Sequence, residues 1–308
     1  MNLSQLRALS SSISPRARVL AGVALVAAAA ALGFWAQPRE QREPRRASPV
    51  VRPGDAPLSA VAAAALQKFG RDVVAGRSTA FGPSTPLCAA LREFGKGYGS
   101  HWLCAPSTAQ EAASCFYVNY GIEQDWSMDT DLSKTHSCAG VALDPTVTHP
   151  SELEPGVLFL RLAAPSLEAA PSAAWQVMSL PRLWRLFAQR EVFAIKYDCE
   201  GCEYALALHN DEAQRAEMLG FFRHVYQLNI ELHTIRKFLD SADKLRNLAA
   251  LLAVLSDAGL HLAHVAPGGC GQQAPHDRDC PQELYDAGIP CGSTTDCSSY
   301  LFARVVQP

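Results

Sequence analysis

From residue 115 onwards, short apolar runs alternate with stretches of helical period. Residues 115–119, 139–143, 157–162, 192–197 and 226–232 read as strands, each a nearly unbroken apolar run of the kind buried on both faces. Helical patterns at 127–135, 180–190 and 212–222 separate them. Residues 237–258 predict a long amphipathic helix, with Leu245, Leu248, Leu252 and Leu255 on one face. Runs at 260–265 and 300–306 supply two more strands. Upstream, the Ala-rich stretch 58–74 and the short stretch 88–94 read as helices, and the glycine-rich loop 95–99 follows. Such alternation predicts an α/β fold with a parallel sheet covered by helices on both faces.

Ahead of this region the pattern changes. Residues 19–36 carry no charge and are mostly Ala, Val and Leu, about the minimum length that crosses a bilayer. Arg7, Arg16 and Arg18 precede the run, and Arg39, Arg42, Arg45 and Arg46 follow it. A transmembrane signal-anchor behind a short cytoplasmic tail, 1–18, fits this pattern, and cleavage after Ala31-Leu32-Gly33 is the competing reading. Five prolines make 37–57 an extended linker. The rest, 58–308, is then one domain on the lumenal side, in the ER or Golgi.

Charge and cysteine usage narrow the choice. The net charge is −3, but the first 46 residues hold seven Arg and two Glu, leaving 20 basic and 28 acidic residues beyond them. A main domain at −8 lacks the basic footprint that nucleic-acid binding requires, so a small or neutral partner is expected. Ten cysteines suit an oxidising lumen. Cys270, Cys280, Cys291 and Cys297 fall in a Gly/Pro/Asp-rich insertion, 268–298, where bridges would staple a loop that has no core of its own. That stretch holds no C-x-x-C pair, and no metal site is expected.

The chemistry gathers at strand ends, where α/β sheets bind ligands. The run Glu191-Val192-Phe193-Ala194-Ile195-Lys196-Tyr197 stops at three acids, Asp198, Glu200 and Glu203. Acids placed there can reach a ligand, whereas inside the run they would be buried at high cost. At the first strand end, Tyr120-Gly121-Ile122 offers a turn in which the backbone can approach a ligand closely. At the second, Asp144-Pro145 puts an acid where α/β nucleotide sites accept bonds from ribose hydroxyls; an Asx turn is the plain alternative. Cys199 and Cys202 form a C-x-x-C pair that reads as two small core-filling side chains.

Four segments, C-F-Y-V-N-Y-G-I-E-Q-D-W-S-M-D, V-A-L-D-P-T, A-I-K-Y-D-C-E-G-C-E and L-N-I-E-L-H, occur in this order. Together they resemble the FkbM-type S-adenosylmethionine-dependent methyltransferases, most nearly the secretory methyltransferase-like branch. His101-Trp102-Leu103-Cys104 resembles that branch's lead-in. The likeness covers roughly 88–306. It implies a class I, Rossmann-like methyltransferase sheet of seven strands, mostly parallel, with the last strand antiparallel. It also implies that Tyr120, Gly121 and Ile122 lie against the methionine part of S-adenosylmethionine, Asp144 at the ribose and Asp198 near the transferring methyl. Glu200 and Glu231 would face a small or glycan-like acceptor. Asp198 and His233 are the catalytic candidates, His233 as the general base that oxygen methylation needs. Glu123 departs from the pattern, standing where relatives often have a second glycine. Two alternatives follow: an inactive Rossmann-like binding module, or a disulfide-stapled lumenal adaptor.

Overall fold

A computed structural model of the chain describes residues 60–78, 87–88, 90–106, 115–167, 175–234, 239, 241–266 and 297–304. The expected span 19–36, the linker 37–57 and nearly all of the insertion 268–298 lie outside these residues. Among the described residues no helix is long and apolar enough to cross a membrane.

The apolar runs pair into one sheet. Its strands are β3 (Phe116–Tyr120), β4 (Ala139–Leu143), β5 (Glu152–Glu154), β6 (Val157–Leu160), β9 (Ala194–Tyr197), β10 (Gln227–His233), β11 (Leu260–Ala266) and β12 (Cys297–Arg304), in the order β11-β12-β10-β9-β3-β4-β6-β5. Pairing is parallel from β10 through β9, β3 and β4 to β6. The last strand, β12, runs antiparallel between β10 and β11. From β3 the chain steps outward to β4 and β6, then crosses back to β9 on the other side and steps outward to β10. The winding direction therefore reverses between β3 and β9, the point where such sheets open a crevice.

Two expectations are corrected. Among the described residues the sheet has eight strands rather than seven, because β5 adds a short antiparallel edge to β6. The stretch 88–94 is no helix: β1 (Leu91–Phe94) pairs antiparallel with β2 (His101–Cys104), and Cys88 is bonded to Cys104. A second bridge, Cys115–Cys138, ties the start of β3 to the residue before β4. A minor pair, β7 (Leu162–Ala163) and β8 (Gln176–Val177), lies apart from the main sheet.

Helices cover both faces. Leu66, Phe69 and Val73 of α1 (Ala60–Ser78) share a core with Phe116, Val118 and Tyr120 of β3. The same core takes in α3 (Leu180–Leu186), α4 (Glu212–Phe222) and the apolar face of α5 (Ala242–Asp257). Tyr117, the alternate residue of β3, points to the other side, into a core with Met128 and Leu132 of α2 (Ser127–His136) and Phe94 and Leu103 of the hairpin. This period of two explains why every residue of β3 is buried. Local signals set the helix ends: Asp211 and Ser241 accept from the backbone amides of Gln214 and Lys244 at the starts of α4 and α5. Helix α3 stops earlier than its pattern predicts, because Ala188 and Gln189 adopt left-handed backbone.

Candidate functional site

Register brings the chemistry together. Tyr120 pairs with Leu143 on one side and Tyr197 on the other, and Tyr197 pairs with Ile230. The next residues are Gly121, Asp144, Asp198 and Glu231, so one strand end after another delivers a functional group to the same edge. Gly121 has φ 76°, and its amide donates to Leu143 O at 2.8 Å. A Cβ at this position would lie 1.8 Å from the carbonyl oxygen of Asp198, so only glycine fits.

Beside that turn lies a cavity of about 340 Å³. Its lining includes Tyr120, Gly121, Ile122, Asp144, Asp198 and Glu200. The volume suits a small-molecule ligand. Leu143, Pro145, Ala163, Ala164, Trp175 and Val177 give it an apolar part. Glu231 and His233 are not in the lining; they stand behind Asp198, with His233 Nε2 3.9 Å from Asp198 Oδ1 and 3.8 Å from Glu231 Oε1.

Asp144 is 3% exposed, makes the Asx turn given as the plain alternative, and also lines the cavity. Its Oδ1 closes an Asx turn, accepting from the amide and hydroxyl of Thr146 at 2.7 and 2.5 Å. Its Oδ2 accepts from the amide of Glu123 at 2.9 Å, which leaves that oxygen a further lone pair on a cavity wall. Glu123 itself is exposed and has φ 46°, the left-handed region that favours glycine.

Sequence reasoning passed over four buried polar residues. Lys196 is 4% exposed, and its Nζ donates to the carbonyls of Tyr120 and Gly121 at 3.1 and 2.5 Å and to Asp198 Oδ2 at 3.3 Å. It clasps β3 to β9 where they part. A lysine inside the apolar run 192–197 was the available signal. Asn119 donates through Nδ2 to Asp129 Oδ2 at 2.7 Å; its Oδ1 is buried without a hydrogen-bond partner, and the residue lines the cavity. Burial raises the Asp129 carboxyl to about 6, against the opposing bonds from Tyr117 and Asn119. His101, also in the lining, is pushed down to about 3 by burial and by the charge of Lys196, and stays neutral at pH 7.

His233 behaves differently. Burial alone would depress it, but the bond and charge of Glu203, then the charges of Glu231 and Asp198, raise it to about 9. Glu231 is raised to about 7 by burial and by the neighbouring Asp198 charge. The carboxylates around His233 thus favour the protonated form of its ring. Cys199 and Cys202, expected as separate core side chains, form a bridge that closes a turn through Glu200 (φ 56°) and Gly201 (φ 97°) at the cavity rim. Four carboxylates thus surround one imidazole beside a cavity whose floor is a glycine turn.

No family model and no curated protein matches the chain. Matches among solved structures are remote and include the following two. The pyocyanin biosynthetic protein PhzM is 12% identical, with a TM-score of 0.29 over 62% of this chain and 50% of PhzM. This chain thus spans about half the length of PhzM. The plantazolicin methyltransferase BpumL, solved in complex with SAH, is 11% identical, with a TM-score of 0.24 over 64% of this chain and 80% of BpumL. At such scores neither likeness bears on function.

Proposed function

We propose that the domain transfers a methyl group from S-adenosylmethionine to an oxygen of a small or glycan-like acceptor. We place it in the secretory pathway, held by the uncharged N-terminal run. The observation that carries the reading is the convergence of Gly121, Asp144 and Asp198 on one cavity at the winding reversal of the sheet. The sequence resemblance supports the choice of cofactor. The bridges Cys88–Cys104, Cys115–Cys138 and Cys199–Cys202 support an oxidising compartment.

The residues present fit the group. The buried Oδ1 of Asn119 offers an acceptor for an ammonium, and the remaining lone pair of Asp144 Oδ2 offers one for a ribose hydroxyl. The turn 120–122 lets the backbone come close to the methionine part, and the apolar wall around Trp175 and Val177 can cover a heterocycle. Bound S-adenosylmethionine supplies an activated methyl on sulfonium. The protein's own part is mainly positioning, which accounts for much of the rate in an in-line displacement. Lys196 holds Asp198 at the cavity edge, where its carboxylate can orient an acceptor hydroxyl. Glu200, 64% exposed at the rim, would contact the acceptor, whereas Glu231, expected from sequence to do so, stands behind Asp198 outside the lining.

Calorimetric titration of the full chain with S-adenosylmethionine tests the reading, and absence of binding at millimolar ligand removes it in favour of a binding module for another ligand. Asp144→Ala should weaken donor affinity by about 1–3 kcal/mol through loss of a charge-assisted bond. An unchanged affinity in a folded variant removes the ribose assignment.

A further inference from the structure

The sequence led to the expectation of no metal, yet the strongest arrangement beyond the cavity is a set of metal-ligand groups. Glu231 and His233, two apart in β10, share one face of the sheet, and register sets Asp198 beside them. One ligand atom from each of Asp198, Glu231 and His233 lies within 4.8 Å of the others. Two sides of the triangle are 3.8 and 3.9 Å, from His233 Nε2 to Glu231 Oε1 and to Asp198 Oδ1. These separations are too long for hydrogen bonds. A triangle of that size encloses a point about 2.2–2.5 Å from all three atoms, the range of carboxylate–metal bonds.

The ring is also held as a metal ligand is held. Glu203 Oε1, on a side chain 1% exposed, accepts from His233 Nδ1 at 3.0 Å and from the His233 amide at 2.9 Å. A buried carboxylate on one ring nitrogen directs the other outward, the arrangement that usually stands behind a metal-bound imidazole. Here Nε2 is turned toward three acids, the third being Glu200 Oε1 at 3.7 Å. Glu200 is mostly exposed and sits on the short turn closed by Cys199–Cys202, so it can swing in as a fourth ligand.

We propose that Asp198, Glu231 and His233 bind one divalent first-row cation, with Glu200 as an outer arm. Two carboxylates and one imidazole favour Mn²⁺ over Ca²⁺, which prefers all-oxygen shells, and over sites built on thiolate. The cation's role rests on the methyl-transfer reading, because Asp198 belongs both to the cavity wall and to the triangle. An acceptor hydroxyl reaching the cation from the cavity would lose its proton to solvent more readily. With S-adenosylmethionine bound, the oxygen–methyl bond would form as the sulfur–methyl bond breaks, leaving a neutral thioether and one released proton. This gives the reaction a route that does not require His233 as base.

The test uses Mn²⁺ alone with the full chain and no methyl donor. Calorimetry should find one ion per chain, and Glu231→Gln and His233→Gln should each weaken binding at least tenfold, about the loss expected when a metal shell is disturbed. Pulsed electron paramagnetic resonance on the wild type should show ¹⁴N coupling from one imidazole, lost in His233→Gln; this readout on wild-type protein holds even if a variant misfolds. Failure of the wild type to bind at about 1 mM Mn²⁺, absence of ¹⁴N coupling, or full binding by folded Glu231→Gln overturns the site. Donor titration in chelator separates the two ideas: donor binding without Mn²⁺ binding removes only the cation, and the reverse removes only the methyl-transfer reading.

Discussion

Gly121 and Glu123 sit two residues apart with left-handed backbone, and only one of them is glycine. At Gly121 the constraint is steric. Gly121→Ala drives a methyl group into the carbonyl of Asp198, so the turn must shift. We expect a loss of at least about 2 kcal/mol in urea unfolding, together with loss of donor binding. At Glu123 the side chain points to solvent and the cost is conformational only. Glu123→Gly should raise stability by about 0.5–1 kcal/mol and, by relaxing the loop that bonds Asp144, tighten donor binding; an unaltered thermal midpoint would count against strain there. Sequence inspection singled out both positions, because a turn glycine and a departure from the pattern are visible locally. It could not single out Asn119, Asp129 or His101. Their significance comes from partners on other elements: Asn119 meets Asp129 of α2, and His101 comes from the hairpin.

Elements were legible where one period dominates. The runs at 139–143 and 212–222 became β4 and α4 with unchanged bounds, since each carries its own burial pattern and, for α4, its own cap. The hairpin was misread because Cys-Ala-Ala-Leu-Arg-Glu-Phe is locally a good helix former. Its strand state is imposed by pairing with β2 and by the Cys88–Cys104 bond, neither of which shows in a short window. Strand β5, three residues long with both glutamates at least partly exposed, has too little apolar character to be noticed. The bridge Cys115–Cys138 closes a loop with a separation of 23 residues around the cavity-forming turn. Replacing both cysteines by serine should cost about 3 kcal/mol by loop-closure entropy, read as a lower denaturant midpoint relative to the oxidised wild type. An equal midpoint would mean that the bond is absent from the folded protein in solution.

For the molecule as a whole, acid is the informative variable. His101 is held neutral in the fold to about pH 3 by burial and by Lys196, with Asp198 and Asp125 opposing, whereas in the unfolded chain it takes a proton near 6.5. The unfolded state therefore binds the extra proton, and stability falls as pH drops from about 6.5 toward 3, by at most about 1.4 kcal/mol per unit; above 6.5 the contribution is complete. The difference in unfolding free energy between wild type and His101→Gln should show this slope, and a difference independent of pH would remove the assignment. The parallel pairing of the sheet followed from the alternation of elements, because parallel pairing is what such alternation permits. The clasp across its strand ends did not, since it comes from one buried ammonium, that of Lys196. Between Tyr120, Gly121 and Asp198 the reach of Lys196 acts as a spacer: the bore of the crevice is gauged by one alkyl chain, and a longer or shorter side chain there would resize it while leaving every strand in register.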